Sequence, residues 1–186
     1  MPTIKDYEKL LEDDSAVVFF VGGLVICIVG FFLHIPLICT FGFVFAYTGF
    51  DVLGYKWVLY HKYGINSLLE HVPVEIQDVY LADHFEIGKA AYRVIQHPTT
   101  IFISILAIPL IGWLPVITFW IMWISGLCDI LYYWCIGKSL PESWGWVGWV
   151  LPLGLIFKMF GKDIPNGWMV VNAILGVIIA IVIQFL

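Results

Sequence analysis

The sequence predicts an all-α integral membrane protein: a polytopic bundle of five, or alternatively six, transmembrane helices in a single domain, 1–186. Three observations lead to this prediction. Hydrophobic residues make up 61% of the chain and charged residues only 12%, against about 25% charged in soluble domains. The mean hydropathy is +0.95. Long uncharged stretches recur, and a soluble core of this size could not hide so much apolar surface.

The first apolar stretch, 16–60, is too long for one membrane crossing. Proline disfavours helical geometry in the residue before it, so we expect a break at Pro36. We therefore predict a first hairpin, 15–60, with helices over about 15–33 and 36–60. The acidic N-terminus is unlike a signal peptide, so the first helix is expected to remain in the protein.

The long polar segment, 61–97, follows the first hairpin. Within it, apolar residues recur at helical spacing from 73 to 96. This spacing predicts an amphipathic helix that lies on the cytosolic surface of the membrane. Pro98 is expected to end that helix.

A second hairpin is predicted at 98–137, with its tight link at Gly112 to Pro115. Its helices are expected over about 98–112 and 114–137. The first of these barely reaches across a core about 30 Å thick, so it is expected to tilt or to cross only partially.

The segment 138–165 is rich in tryptophan, glycine and proline, which is typical of an interfacial segment. Within it, 149–160 is expected to lie in the interface, which gives five spans. If it crosses, the bundle has six. The range 166–186 predicts the final transmembrane helix.

Lysine and arginine set the expected orientation. They flank the predicted helices before the first hairpin, between the two hairpins and within the interfacial segment, whereas both tight links lack them. The N-terminus and both polar segments are therefore expected in the cytosol. Five spans place the C-terminus outside, and six would bring it inside.

The two hairpins are similar in sequence, which favours an internal repeat. Asp51 follows Gly49 by two residues in the first hairpin. Asp129 follows Gly126 by three residues in the second, and each aspartate comes 14 or 15 residues after the link proline. Such hairpins would be related by an axis along the membrane normal, as in parallel-repeat transporters. Chance similarity among interfacial aromatics and link prolines stays open.

Asp51 and Asp129 are the candidate catalytic residues. A carboxylate at the centre of a membrane helix costs about 2.5–3.5 kcal/mol, so such residues usually face a cavity, a partner or water. Aromatic residues mark the expected interface one to two turns further on, and are the candidate substrate-binding residues: Tyr55, Tyr132 and Trp134. The alternative is structural, with each aspartate capping backbone groups or pairing with a lysine such as Lys56.

A divalent metal ion is a candidate cofactor. Carboxylates with one or two histidines suit Mg²⁺, Mn²⁺, Fe or Zn²⁺. An amphipathic surface helix would present the same residues to water without any metal. The candidate metal ligands are Asp51, Asp129, His71, Asp83, His84 and His97.

These residues favour a membrane-embedded enzyme that acts on a lipid or other apolar substrate at the cytosolic leaflet. The first alternative is a proton- or cation-coupled transporter or channel built from the two repeats. The second is a non-catalytic subunit of a membrane complex, and a homo-oligomer is also open. The net charge of −5, without a basic patch, argues against nucleic acid as a partner.

Overall fold

The computed structural model describes residues 14–57, 74–145 and 150–186, with side chains for all of these except 74–91 and 93. The regular elements of the described part are helices and one two-stranded antiparallel ribbon. The helices are α1 (Ser15–Phe32), α2 (Pro36–Trp57), α3 (Val74–Ile111), α4 (Trp113–Ile124), α5 (Leu127–Cys135), α6 (Leu153–Met159) and α7 (Asn166–Gln184). The strands are β1 (Ser143–Trp144) and β2 (Ile164–Pro165).

Four described helices are long and apolar enough to cross a membrane: α1, α2, α7 and the part of α3 over Val94–Ile111. Together, α4 and α5 make a fifth span if the pair counts as one broken span. The described part of the chain is thus predominantly helical with four to five candidate spans, consistent with a multi-pass membrane protein. Helix α6 has seven residues, about 10 Å, too short for a core about 30 Å thick.

Helix α3 corrects the prediction that Pro98 separates an amphipathic helix from a membrane helix. The structure has one helix of 38 residues with Pro98 and Pro109 inside it. Prolines are tolerated within transmembrane helices because neighbouring helices and hydroxyl side chains satisfy the freed backbone groups. The chain turns instead at Gly112, which has a φ of 87°, a conformation that favours glycine.

A bend between α4 and α5 corrects the prediction of one helix over 114–137. The two helices meet at 78°, and Gly126 has a φ of 88° in the left-handed region. The bend is held from α7, where Asn172 Nδ2 donates to the carbonyl oxygens of Ser125 (2.9 Å) and Leu151 (3.0 Å). The amide therefore satisfies backbone groups at the break.

The hairpin of α1 and α2 packs through small residues. A Cβ atom on Gly23 would meet the backbone of Ala46, and one on Gly42 would meet the backbone of Cys27. Small residues let membrane helices approach closely, which strengthens van der Waals contact. The opposite face of α1 is exposed and apolar, as expected of a helix that faces lipid.

Helix α2 is the centre of the bundle. In its membrane window 56% of the residues are buried, against 17% for α1. The core beside it includes Phe43 and Phe119, whose ring centroids lie 4.5 Å apart, and the fully buried Met122. Any polar group on the inner face of α2 is therefore surrounded by protein.

Polar contacts fix which helix ends lie together. Gln184, at the end of α7, donates to the hydroxyl oxygen of Thr40 (2.6 Å), near the start of α2, so the two helices are antiparallel. The end of α2 at Trp57 therefore lies on the same side as the start of α7 at Asn166. We call this the Trp57 side and the other the Thr40 side.

Candidate functional site

The carboxylate of Asp51 lies on α2, toward the Trp57 side, and is held by α3. Its Oδ1 accepts hydrogen bonds from the Tyr92 hydroxyl (2.6 Å) and from Gln96 Nε2 (2.9 Å). The Tyr92 hydroxyl also lies 2.9 Å from the Asp51 carbonyl oxygen. Both side-chain donors act on the same oxygen, and the described residues place no donor on Oδ2.

The helical repeat brings these groups together. Tyr92, Gln96 and Thr100 recur every four residues, so they share one face of α3. On α2, Tyr47 and Asp51 are also four residues apart. The Tyr47 hydroxyl lies 2.6 Å from Thr100 Oγ1, which in turn lies 2.7 Å from the Gln96 carbonyl oxygen. The two helices are thus joined by a continuous polar network.

Tyr92 lies on α3 just before the membrane-spanning window that starts at Val94. Burial raises the pKa of the Tyr92 hydroxyl well above its ordinary value, and the neighbouring Asp51 carboxylate raises it further. The hydroxyl therefore keeps its proton at physiological pH and remains a donor to Asp51.

A cavity of about 130 Å³ adjoins this network between α2 and α3. Its polar wall includes Asp51, Tyr92 and Gln96, and its apolar wall includes Trp57 and Ile95. Trp57 is 61% exposed and Ile95 is 45% exposed, so this wall continues onto the outer surface of the bundle. The cavity thus combines a positioned carboxylate with an apolar flank at the end of a span, the combination found in ligand sites.

Asp129 lies in the first turn of α5, directly after the bend, and is half-buried. Helices α2 and α5 pack against each other, and the ring centroids of Tyr55 on α2 and Tyr132 on α5 lie 6.5 Å apart. The structure therefore brings α5 to the Asp51 region, whereas the hydrogen-bond donors to Asp51 come from α3. Pairing of the two aspartates stays a prediction.

The three aromatic candidates take different positions. Tyr55 is buried, with its ring centroid 5.6 Å from that of Tyr92 and 6.5 Å from that of Tyr132. Trp134 is 66% exposed and packs on Phe19 of α1 at 5.9 Å. Tyr55 and Tyr132 thus border the Asp51 region, and Trp134 lies on the surface; their roles toward a substrate stay predictions.

The candidate metal ligands are only partly described. His71 and the side chains of Asp83 and His84 lie outside the described residues. His97 is exposed on α3, with its ring 5.6 Å from Trp123. Among the residues whose side chains are described, no three histidines, cysteines or carboxylates come together as a metal site. A metal ion stays a prediction.

Sequence reasoning missed Tyr92 and Gln96, the two side chains that position Asp51. The available signal was the four-residue spacing of polar residues along α3, which continues through Thr100 to Ser104. Because Pro98 was expected to end a helix, these polar residues were divided between two separate helices and their common face was not recognised.

No protein-family model, curated protein or solved structure matches the chain.

Proposed function

We propose that this protein is a membrane-embedded enzyme that acts on an amphipathic lipid, with Asp51 as its proton acceptor. One observation carries the proposal: a carboxylate held by two donors on one oxygen lines a cavity at the end of a membrane span. Intramembrane carboxylates are usually functional because they are costly to keep in a bilayer.

The hydrogen bonds suit Asp51 to this role. Tyr92 and Gln96 fix Oδ1, so the carboxylate has a defined orientation without a metal ion. A lipid hydroxyl group in the cavity would donate to Oδ2, which takes the proton as the hydroxyl oxygen attacks an ester or phosphodiester group of a second lipid. The carboxyl group then returns the proton to the alcohol that leaves.

The walls of the cavity suggest the class of substrate. Phe50, Trp57 and Ile95 offer apolar surface next to the carboxylate. A lipid with a hydroxyl-bearing head and one or more hydrocarbon chains would place its head at Asp51 and its chains along this surface. The sequence-based orientation puts the site at the cytosolic leaflet, with Asp129, Tyr55 and Tyr132 beside it.

The test is turnover in nanodiscs that contain a total polar lipid extract, followed by mass spectrometry of the lipids. We expect the wild type to convert a lipid class and Asp51→Asn to abolish that conversion. Asp14→Asn makes the same chemical change at an exposed position before α1 and should retain full activity. Unchanged turnover by folded Asp51→Asn protein would refute the proposal.

A proton- or cation-coupled transporter is the second candidate, and a buried polar cluster on the Thr40 side favours it. Thr40 and Thr118 are fully buried, and their hydroxyl oxygens lie 2.8 Å apart. Gln184 Nε2 lies 2.8 Å from the hydroxyl oxygen of Thr118. Phe43 and Phe119 lie between this cluster and Tyr47, so a pathway would require them to move.

Proton flux into liposomes with a trapped pH indicator tests the transporter. Flux that depends on Asp51, without lipid turnover, would replace the enzyme by the transporter. Absence of both lipid turnover and proton flux in the wild type would favour the non-catalytic subunit.

A further inference from the structure

A second cavity, of about 300 Å³, lies between α6 and the β1–β2 ribbon, away from Asp51. Trp144 and Ile164 form a buried part of its wall, at 1% and 2% exposure. Lys158, Lys162 and Asp163 supply its charged groups, and all three are exposed. The cavity therefore has a buried apolar base and a polar rim.

The rim carries a net positive charge, with two lysines against one aspartate. Within 14–57, 92, 94–145 and 150–186, neither lysine forms an ion pair, and Asp163 accepts a hydrogen bond from the Ser143 hydroxyl (3.4 Å). The neighbouring stretch 146–149 (Trp-Val-Gly-Trp) contains no charged residue in its sequence. An anion with a single negative charge would balance the rim.

The surroundings of the cavity resemble those of a site at the level of lipid headgroups. The end of α6 and the residue after it expose apolar side chains beside the lysines, with Met159 at 78% and Phe160 at 74% exposure. Amphipathic helices with basic side chains on one face and apolar side chains on the other are typical of the membrane interface. The span α7 begins three residues after Asp163, and Trp168, near its start, is 54% exposed, as expected of an interfacial tryptophan.

We infer that this cavity binds the phosphate group of an anionic glycerophospholipid between Lys158 and Lys162. The ammonium groups would bind the phosphate while the lysine stems lie along apolar surface. The acyl chains of the lipid would extend along the exposed apolar faces of α6 and α7. This site is independent of Asp51 and of the reaction proposed there.

The test measures thermal stabilisation of the detergent-purified protein by three probes. These are a phosphatidylglycerol, inorganic phosphate and a diacylglycerol with the same chains. We expect the phosphatidylglycerol alone to raise the melting temperature with saturation. Stabilisation by inorganic phosphate at matched concentration would identify a free-anion site, and equal stabilisation by diacylglycerol would identify a purely apolar one; either result overturns the inference.

Variants assign the effect to the cavity. In Lys158→Gln/Lys162→Gln, we expect the affinity for phosphatidylglycerol to fall about thirty-fold, from the effect typical of two basic side chains near a membrane. Lys138→Gln removes an exposed lysine outside the cavity and should retain wild-type affinity. An equal loss in Lys138→Gln would show a general surface-charge effect and overturn the inference.

A charge-neutral variant gives independent evidence. In Gly145→Ala, the new Cβ atom would come 2.9 Å from a carboxylate oxygen of Asp163, which must shift within the cavity. We expect weaker phosphatidylglycerol binding at unchanged net charge. Wild-type affinity in both Gly145→Ala and the double lysine variant would exclude the cavity as the binding site.

Discussion

Two segments of similar sequence, one around Gly49 and Asp51 and the other around Gly126 and Asp129, differ in structure. Gly49 lies inside α2, where a Cβ atom would meet the backbone of α1. Gly126 is in the left-handed conformation and starts a new helix. One glycine thus serves close packing of two helices, and the other serves a change in chain direction.

This difference shows that a local sequence match does not establish equivalent structure. Asp51 follows its glycine on a continuous helix and accepts hydrogen bonds from α3. Asp129 follows its glycine across a bend of 78° and lies in the first turn of a nine-residue helix. The two hairpins therefore differ most where their sequences agree best, and the repeat stays a hypothesis.

The largest effect on stability is expected from Gly49→Ala. The added Cβ atom would lie 2.6 Å from the Ala16 carbonyl oxygen, so α1 would have to move away from α2. We expect the free energy of unfolding to fall by about 1–3 kcal/mol, the range of overpacking substitutions. Gly22→Ala is the control, because a Cβ atom there meets nothing within 4 Å. Equal denaturation midpoints in mixed micelles for the two variants would contradict the close contact.

Gly126→Ala tests the other side of the comparison. An alanine at a φ of 88° costs about 1–2 kcal/mol, and its Cβ atom would also crowd Met169. Gly137→Ala is the matched control, because Gly137 has a φ of 63° but open space around its Cβ position. The difference between the two variants in the free energy of unfolding measures the crowding against Met169. Equal losses in the two variants would show that the Met169 side chain moves aside without cost.

A smaller effect is expected from Asn172→Leu, which removes both side-chain hydrogen bonds to the bend. Interhelical hydrogen bonds in membranes contribute about 0.6 kcal/mol each, so the loss should be about 1 kcal/mol. The angle between α4 and α5, measured from spin-label distances, should also become more variable. An unchanged distance distribution and unchanged stability would show that Gly126 alone sets the bend.

The smallest effect is expected at the Asp51 network. Tyr92→Phe removes one donor to Oδ1 and should cost about 0.6 kcal/mol. In a double-mutant cycle with Asp51→Leu, the two substitutions should couple by a similar amount, because the hydrogen bond is lost once. Additive losses would show that the hydroxyl and the carboxylate do not interact in the folded protein.

The sequence predicted the helices α1, α2 and α7 because apolar runs of membrane length with few or no charges leave little alternative. It identified Asp51 because a carboxylate in such a run is costly. It was wrong at Pro98 and Gly126. Whether a proline is tolerated, or a glycine adopts a positive φ, depends on neighbouring helices. The same reason explains why Tyr92 and Gln96 were missed.

Helix α3 extends well beyond its candidate span, so the donors to Asp51 belong to an element that continues away from the site. Its 38 residues extend about 57 Å, nearly twice the thickness of the hydrocarbon core. About half of this length precedes Val94, where the candidate span begins. Tyr92 and Gln96 lie two residues to either side of Val94. A load that tilts the part of α3 before Val94 would shift both donors against the carboxylate, so a contact tens of ångströms away would change the geometry of the site.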